Sequence, residues 1–378
     1  MKALSLLIKP ASGACDLRCR YCFYADVAHA RAVHHHGMMT EETLEIIVQK
    51  ALSEATEAVT FGFQGGEPTL VGLEFFEKLV LFQRRYNLNG VRVANALQTN
   101  GLHIDEAFAA FLAREGFLVG ISIDGPGEVH DLLRIDAASE GSFARAMKAA
   151  ALLTRYKAEF NILSVVTRAM ARHPDAVYGF YKKRGFRYVQ FIACLDGLDE
   201  APGGHPHSLS AGDYGAFLMR VFDLWYEDWR NGHYVSIRAF DNYVGMLLGH
   251  PPENCAMNGV CGSYPLIEAD GSVYPCDFYA LDAHRIGDVR RDSFAEMLGS
   301  DASQAFMAPS RVPDAACAAC PHMALCRGGC RRERETGDGR LGLNRFCEAY
   351  KAFFAHAEAG LRAVAHDIAR RHASGRRF

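Results

Sequence analysis

Short apolar runs alternate along the first two thirds of the chain with longer segments whose apolar residues recur at helical spacing. The apolar runs predict six β-strands, at residues 4–9, 59–63, 91–97, 117–123, 160–166 and 188–193. The amphipathic segments predict helices at residues 73–86, 105–115, 143–156, 173–183 and 209–229, and one more that begins at Glu41 after the capping residue Thr40. Strands and helices therefore alternate, which is typical of an α/β protein with a parallel sheet.

A parallel sheet of this kind needs right-handed helical crossovers, which bring the carboxyl ends of the strands to one edge. Because the strands are largely apolar, we expect helices to cover one face of the sheet and a filled interior to cover the other. The polar and glycine-rich segments fall at the predicted carboxyl edge, at residues 15–22, 64–68, 98–101, 124–125 and 195–196. Their shared position favours a functional site over a set of ordinary turns.

Composition and charge narrow the class of protein. The 378 residues are 49% hydrophobic and 22% charged, which is ordinary for a globular chain with one large and one smaller domain. The formal net charge of −3 gives no basic excess, so neither nucleic acid nor anionic lipid is expected as a partner. The N-terminus lacks a signal-peptide pattern, and no apolar run has membrane-spanning length. We therefore expect a soluble, cytoplasmic protein without a membrane partner.

The twelve cysteines are clustered, which suits metal ligands in a reducing compartment better than disulfides. Three occupy positions 15, 19 and 22, and eight lie between positions 255 and 347. Cys194 stands apart at the end of an apolar strand, and we expect it to be a small buried residue. The first three supply one thiolate fewer than a four-iron cluster usually takes, so one iron stays open for another ligand.

This Cys-x-x-x-Cys-x-x-Cys motif, with an aromatic residue before its third cysteine, and the segment at residues 65–68 resemble the radical S-adenosylmethionine (SAM) superfamily. The resemblance implies a partial (β/α)6 TIM-type barrel and a four-iron cluster, held by Cys15, Cys19 and Cys22, whose open iron binds SAM. Cleavage of SAM then yields a 5′-deoxyadenosyl radical. The SAM-binding residues implied by the resemblance are Tyr21, Gly65, Gly66, Glu67, Ser122, Arg134 and Leu195. Glycine fits this role because a residue without Cβ lets the backbone approach a ligand closely.

The cysteines of the C-terminal third resemble the SPASM extension, a small domain with two auxiliary four-iron clusters. By motif order, the resemblance assigns Cys255, Cys261, Cys276 and Cys330 to the first auxiliary cluster, and Cys317, Cys320, Cys326 and Cys347 to the second. Clusters with four thiolates have no open iron, so electron transfer is their expected role. The Cys-x-x-Cys pairs alone also suit zinc, and a non-catalytic zinc-thiolate scaffold is the alternative from another class of protein.

These resemblances predict three domains. We expect a radical SAM partial barrel at residues 1–234, a SPASM domain with its two auxiliary clusters at residues 235–350, and a C-terminal helix and tail at residues 351–378. SAM and three four-iron clusters are the expected cofactors.

Further segments, at residues 4–10, 22–24, 63–70, 97–101, 274–279 and 326–332, resemble the anaerobic sulfatase-maturating enzymes. The similarity covers nearly the whole chain. It implies that a cysteine or serine in a sulfatase motif is oxidised to Cα-formylglycine. It also implies an unfolded sulfatase polypeptide or another peptide as the substrate, and a flavodoxin or ferredoxin as the electron donor.

Asp277, beside the expected cluster ligand Cys276, fits this chemistry as the catalytic base. After a hydrogen atom leaves Cβ of the substrate residue, the oxidation requires loss of one proton and one further electron. A carboxylate next to a cluster can accept the proton while the cluster accepts the electron. The alternative interpretation of Asp277 is a helix-cap or turn residue.

The sequence leaves two questions open. A peptide-modifying enzyme that makes a thioether or carbon–carbon crosslink in a ribosomal precursor also fits a radical SAM chain with a SPASM domain. Many such enzymes carry an added N-terminal leader-binding domain, for which we expect no room here because the chain starts at the first strand. The polar segment at residues 196–207 is either a lid that faces the substrate or a plain connector.

Overall fold

The computed structural model describes residues 1–198, 200–262, 264–336 and 340–373, and its described strands form one ten-stranded sheet. The strands are Ala3–Ile8 (β1), Ala58–Phe63 (β2), Arg92–Thr99 (β3), Leu118–Ser122 (β4), Phe160–Val166 (β5), Tyr188–Ala193 (β6), Ser236–Ile237 (β7), Leu266–Ile267 (β8), Ser272–Tyr274 (β9) and Gly287–Asp288 (β10). Their order across the sheet is β10-β9-β8-β1-β2-β3-β4-β5-β6-β7.

Helices follow most of the strands. The α-helices are Phe23–His29 (α1), Glu41–Glu54 (α2), Leu73–Tyr86 (α3), Glu106–Arg114 (α4), Gly127–His130 (α5), Phe143–Tyr156 (α6), Arg168–Ala171 (α7), Pro174–Lys183 (α8), Ala211–Arg230 (α9), Arg238–Leu247 (α10), Phe294–Gly299 (α11), Asp301–Met307 (α12), Ala315–Ala318 (α13), Met323–Cys326 (α14) and Cys347–Ala373 (α15). Single turns of 3-10 helix lie at Pro68–Val71, Cys255–Asn258, Asp277–Tyr279, Asp282–His284, Ala308–Arg311 and Arg331–Glu333.

Strands β1 to β6 are parallel and adjacent in chain order, as the alternation of strand and helix predicts. The bounds of β5 and β6 match the prediction, and β3 runs two residues further, to Thr99. The predicted cap of α2 is confirmed, since the Thr40 hydroxyl accepts a hydrogen bond from the backbone N–H of Thr43 at 3.2 Å. The mixed α/β class and the parallel barrel-like core are therefore as predicted.

The interior of the barrel differs from the prediction. One side of the strands packs its apolar residues against the helices, as Phe61, Val119 and Ile162 do. The other side encloses a cavity of about 980 Å³ instead of a filled core. Polar residues line much of this cavity, including Thr60, Gln64, Gln98, Asn161 and Gln190. The strands are apolar on average, so the few polar residues that face the interior did not stand out in the sequence.

The sheet continues across the predicted boundary between residues 234 and 235. Strand β7 pairs with β6, and β8 pairs in parallel with β1, so strands from beyond the boundary extend the barrel sheet at both of its ends. Strands β9 and β10 follow as antiparallel neighbours. The proposed domain limits stay a prediction, because one sheet serves both domains.

The C-terminal helix α15 packs along α9 and buries Phe353, Phe354 and Leu361. It begins at Cys347, a predicted cluster ligand, so the packing of α15 along α9 also helps to position that cysteine. The predicted tail beyond Ala373 lies outside the described residues. Among the residues that the structure describes, we found no helix that combines the length and apolar character needed to cross a membrane.

Candidate functional site

The loop after β1 carries the three N-terminal cysteines at the carboxyl edge of the sheet. Cys22 is the residue that precedes α1. The thiol of Cys15 accepts a hydrogen bond from the backbone N–H of Leu17 at 3.4 Å, and Asn100 Nδ2 lies 3.9 Å from the same sulfur. Hydrogen bonds of this kind to the ligand sulfurs help to set the potential of an iron–sulfur cluster.

Gly65 and Gly66, in the loop after β2, lie against the cysteine loop. Both have positive φ, +85° and +61°. A Cβ at Gly66 would lie 2.4 Å from the carbonyl oxygen of Ala14 and 2.8 Å from that of Ser12, and a Cβ at Gly65 would lie 2.8 Å from the Lys9 side chain. Side chains are therefore excluded at both positions, which leaves backbone groups at the edge where a ligand can approach.

Glu67 is buried beneath this loop and joins three segments. Its carboxylate accepts hydrogen bonds from Thr69, from the Thr99 hydroxyl at 2.7 Å and from the backbone N–H of Asn100 at 2.7 Å. Its own backbone N–H donates to Ala14 in the cysteine loop at 2.7 Å. Both carboxylate oxygens are occupied by these contacts, so Glu67 holds the loops after β1, β2 and β3 together.

Arg134 lies beside the first cluster motif. Its Nε donates to Asp124 Oδ2 at 2.8 Å, and its Nη1 lies 3.9 Å from the Cys19 sulfur. The guanidinium also lies over the Tyr21 ring, 5.4 Å from the centroid, and the Tyr21 hydroxyl donates to Asp124. The structure thus brings Tyr21 and Arg134 together around Asp124. The sequence placed Asp124 in a polar segment but predicted no role for it.

Ser122 and Leu195 occupy the same edge of the sheet. Ser122 is the last residue of β4, and Leu195 lies two residues beyond the end of β6. Both side chains are partly exposed. With the glycine loop after β2, they place the predicted SAM-binding residues at the carboxyl ends of β2, β4 and β6.

Asp277 is the first residue of a 3-10 turn directly after Cys276, and its side chain makes contacts beyond that turn. Oδ2 accepts hydrogen bonds from the Tyr24 hydroxyl at 3.1 Å and from Gln64 Nε2 at 3.0 Å. The Cys276 thiol lies 3.5 Å from Oδ1. Burial raises the pKa of Asp277 above its usual value, while the bonds from Tyr24 and Cys276 oppose that shift. The contacts support a site residue over the cap or turn interpretation.

Tyr24 and Gln64 are site residues that the sequence did not single out. Both lie within segments that resemble the family motifs, at residues 22–24 and 63–70, which is the signal that could have identified them. Gln64 also lines the barrel cavity, so one side chain contacts both the cavity and the Asp277 carboxylate.

The four thiols predicted for the second auxiliary cluster surround one small cavity. Cys317, Cys320, Cys326 and Cys347 all line it, with His322 and Phe354 beside them. They come from α13, the turn after it, α14 and the start of α15. Four thiols that converge on one enclosed space fit a four-thiolate cluster.

The thiols predicted for the first auxiliary cluster come from three separate segments. Burial raises the pKa of the Cys330 thiol, and the neighbouring thiols Cys255 and Cys261 raise it further. Burial likewise raises the pKa of Cys276, which lies close enough to Cys330 and Cys255 to interact with both. The folded chain thus brings the four predicted ligands into one neighbourhood and fits the group that the sequence implies.

The geometry differs from that of a site for one metal ion. In the described part of the chain, we found no three His, Cys, Asp or Glu side chains arranged to bind a single ion. An iron–sulfur cluster places its cysteines on different irons, so its ligands need not meet at one point. All twelve cysteines are free thiols, and Cys194 is buried as predicted.

Comparison with protein families supports this geometry. Residues 10–169 match the radical SAM superfamily, and residues 260–321 match the SPASM iron–sulfur cluster-binding domain. These matches identify the first motif as that of a SAM-dependent iron–sulfur protein, and the SPASM domain implies auxiliary four-iron clusters in the C-terminal third. They overturn the zinc-thiolate scaffold.

Named relatives match nearly the whole chain. A cysteine-type anaerobic sulfatase-maturating enzyme of Clostridium novyi is 46% identical over 98% of this chain and 100% of its own. A serine-type anaerobic sulfatase-maturating enzyme of Bacteroides thetaiotaomicron is 30% identical over 94% of this chain and 89% of its own.

Solved structures agree. Native anSMEcpe with bound AdoMet and the Kp18Cys peptide is 46% identical, with a TM-score of 0.93 over 97% of this chain and 99% of that one. Streptococcus suis SuiB bound to S-adenosylmethionine is 16% identical, with a TM-score of 0.62 over 91% of this chain and 77% of that one, and shares the fold. The chain therefore belongs to the anaerobic sulfatase-maturating enzymes, a family of radical SAM proteins with a SPASM domain.

Proposed function

We propose that this chain oxidises a cysteine of a sulfatase polypeptide to Cα-formylglycine, with serine as the poorer substrate residue. The observation that carries the proposal is the Asp277 carboxylate, which contacts both the cavity-lining Gln64 and the cluster ligand Cys276. Relatives named for the cysteine-type activity are 46% identical, against 30% for a serine-type relative, which supports cysteine as the preferred residue.

The substrate is proposed to enter through the barrel cavity as an unfolded peptide. Amide side chains on its wall, at Gln98, Asn161 and Gln190, can pair with peptide backbone groups. Tyr188 and Leu118, 59% and 47% exposed, also line the cavity and offer apolar contact for peptide side chains. A cavity of about 980 Å³ has room for several peptide residues in an extended or turned form.

The cofactors are proposed to be held by the residues already described. Cys15, Cys19 and Cys22 hold the first cluster, and the backbone of Gly65 and Gly66 with Tyr21, Ser122, Arg134 and Leu195 surrounds SAM. When bound, SAM and the clusters supply the one-electron chemistry, which removes one hydrogen atom from Cβ of the peptide residue and accepts one electron. Glu67 supports this site through the three loops that it joins.

Asp277 is proposed to take the remaining proton. For a cysteine substrate, the hydrogen atom leaves Cβ, the proton leaves the thiol and one electron leaves the residue, so the carbon–sulfur single bond becomes a double bond. Water then replaces sulfur, which gives the aldehyde and hydrogen sulfide. Tyr24 and Gln64 donate to Oδ2 of Asp277, and Oδ1 lies beside Cys276.

Two further features of the setting are proposed. A flavodoxin or ferredoxin supplies the reducing electron, since one-electron chemistry needs a one-electron carrier. The enzyme works in the cytoplasm, because twelve free thiols persist in a reducing compartment.

An anaerobic assay tests this function. Reconstituted enzyme, SAM and a chemical reductant are incubated with two sulfatase-motif peptides that differ in having cysteine or serine at the target position. We expect formylglycine by mass spectrometry from both peptides, faster from cysteine, and with loss of sulfur in that case. A crosslinked peptide that keeps its sulfur, or 5′-deoxyadenosine without any aldehyde, would support the crosslinking alternative instead.

A further inference from the structure

The segment from residue 195 to residue 208, named here the β6 strap, is folded into a closed loop. Asp196 is 5% exposed and Ser208 is fully buried. One Asp196 oxygen accepts from the Ser208 hydroxyl, and the other accepts from the backbone N–H of Gly203 at 3.2 Å. Asp199 lies outside the described residues. The closed loop argues against a plain connector, which has little reason to bury a carboxylate.

The β6 strap contacts one segment beside a predicted ligand of each of the three clusters. Leu198 N–H donates at 2.8 Å to Asp26, in the helix that follows Cys22. Arg332, two residues after Cys330, donates at 3.1 Å to the carbonyl oxygen of Asp196. Arg345, two residues before Cys347, donates to the Asp196 carboxylate at 2.7 Å.

Asp196 is the centre of these contacts. Arg345 Nη2 also donates to the Leu209 carbonyl at 3.3 Å, so it holds both ends of the strap. The side chains of Asp196 and Arg345 are 3% and 18% exposed, and loss of one partner from such a buried pair leaves an uncompensated charge. Burial works against the charged form of Asp196, but Ser208 and Arg345 outweigh it and keep its pKa below the usual value.

We propose that Asp196 is a positioning residue that holds the SAM-binding edge of the barrel in register with both auxiliary-cluster loops. Leu195, a proposed SAM contact, precedes Asp196 directly. One short segment therefore adjoins the proposed SAM site and contacts both auxiliary-cluster loops. The inference rests on the proposed function, in which a hydrogen atom leaves toward SAM and an electron leaves toward an auxiliary cluster. If the SAM-binding edge and the auxiliary-cluster loops lose their relative position, the hydrogen atom can be removed without the electron transfer that completes the oxidation.

The test compares Asp196→Asn with Glu200→Gln as a matched control. Both substitutions remove one carboxylate charge from the same strap, but Glu200 is exposed and pairs within the strap with His205. We expect the ratio of formylglycine to 5′-deoxyadenosine to fall about tenfold in Asp196→Asn, the scale on which substitutions change coupling between sites. We expect Glu200→Gln to keep the wild-type ratio.

A second variant separates positioning from simple loss of stability. Arg345→Gln should lower the ratio as Asp196→Asn does, and the double variant should be no worse than either single one, because both break the same contact. Arg345→Lys keeps the charge and should restore part of the ratio. Hydrogen exchange should rise in the strap and around residues 330–333 and 344–347 in Asp196→Asn, with iron content unchanged.

A wild-type ratio in Asp196→Asn would overturn this inference while leaving the proposed function intact. Additive defects in the double variant, or loss of iron that accounts for the lost product, would also overturn it. Failure of the wild-type enzyme to make formylglycine would instead overturn the proposed function.

Discussion

At the scale of single residues, the proposed SAM-binding edge depends on the absence of a side chain at Gly66. Gly66 has φ of +61°, and the place of its missing Cβ is filled by the carbonyl oxygens of Ala14 and Ser12. Gly90 has a similar φ of +64° but open space around it. A side chain would strain the backbone at both positions because φ is positive. Only at Gly66 would it also clash with neighbouring atoms.

This difference predicts that Gly66→Ala impairs SAM binding far more than Gly90→Ala does. The added methyl pushes the cysteine loop away from the glycine loop, and overpacking of this kind costs about 1–3 kcal/mol. We expect SAM affinity to fall at least about tenfold, which corresponds to about 1.4 kcal/mol. Equilibrium binding to reconstituted protein measures it, and equal affinities for the two variants would contradict the role of Gly66.

Some contacts of Asp277 could be predicted from the sequence and others could not. Cys276 and Asp277 are adjacent in the chain, so their pairing could be predicted. Tyr24 and Gln64 lie 253 and 213 residues away from Asp277, and only the folded chain brings them to it. Long-range contacts of this kind leave no periodic pattern in a single sequence.

At the scale of elements, a buried ion cluster joins the barrel to the SPASM strands. Glu268, just after β8, pairs with Lys9 after β1 and with Arg31 after α1, both at 2.6 Å. The three side chains are fully buried at these contacts. Lys9 also packs beneath Gly65 and lies 5.6 Å from the Tyr24 ring centroid, so the cluster supports both the glycine loop after β2 and a partner of Asp277.

Glu268→Gln should destabilise the enzyme strongly at neutral pH. Removal of one partner from a buried ion cluster leaves two cations without a counter-charge and costs about 3–5 kcal/mol. Denaturant unfolding of reconstituted enzyme measures the loss, with Glu106→Gln as a control. Glu106 pairs with Arg155 on the surface, 62% and 66% exposed, and that pair contributes at most about 1 kcal/mol.

The same cluster predicts how the difference depends on pH. Burial disfavours the Glu268 carboxylate, but Lys9 and Arg31 outweigh it and lower its pKa from 4.5 to about 2. A lowered pKa stabilises the folded enzyme above the unfolded-state value, and that contribution is lost as the pH falls from about 4.5 toward 2. The stability gap between wild type and Glu268→Gln should therefore be full at pH 7 and begin to narrow below about pH 4.5.

The long elements were predictable and the short ones were not. Helices α3 and α6 and strands β5 and β6 have the predicted bounds, because each spans enough residues to show a period. Strands β7, β8 and β10 have two residues each, too few for any alternation to appear. Their places are set by pairing with the long strands, so the extension of the barrel sheet could not be predicted.

At the scale of the whole molecule, the chain brings three separated groups of cysteines to one sheet. The first group follows β1, Cys261 and Cys276 precede and follow β8 and β9, which join the sheet beside β1, and Cys347 begins α15, which packs along α9. The polar cavity lies on the inner side of the strands, and Gln64 on its wall donates to Asp277. In the proposed function, a peptide residue lies between a radical source and an electron acceptor, with Asp277 as the base beside it.

The most direct test of this account compares wild type with Asp277→Asn on a cysteine-containing sulfatase peptide under anaerobic conditions. Asp282→Asn, a substitution in the next 3-10 turn, is the matched control. Formylglycine and 5′-deoxyadenosine are quantified together by mass spectrometry. If Asp277 is the base, wild type and Asp282→Asn should form the two products in equal amounts, whereas Asp277→Asn should release 5′-deoxyadenosine with little formylglycine. Formylglycine from Asp277→Asn at the wild-type rate would contradict this role.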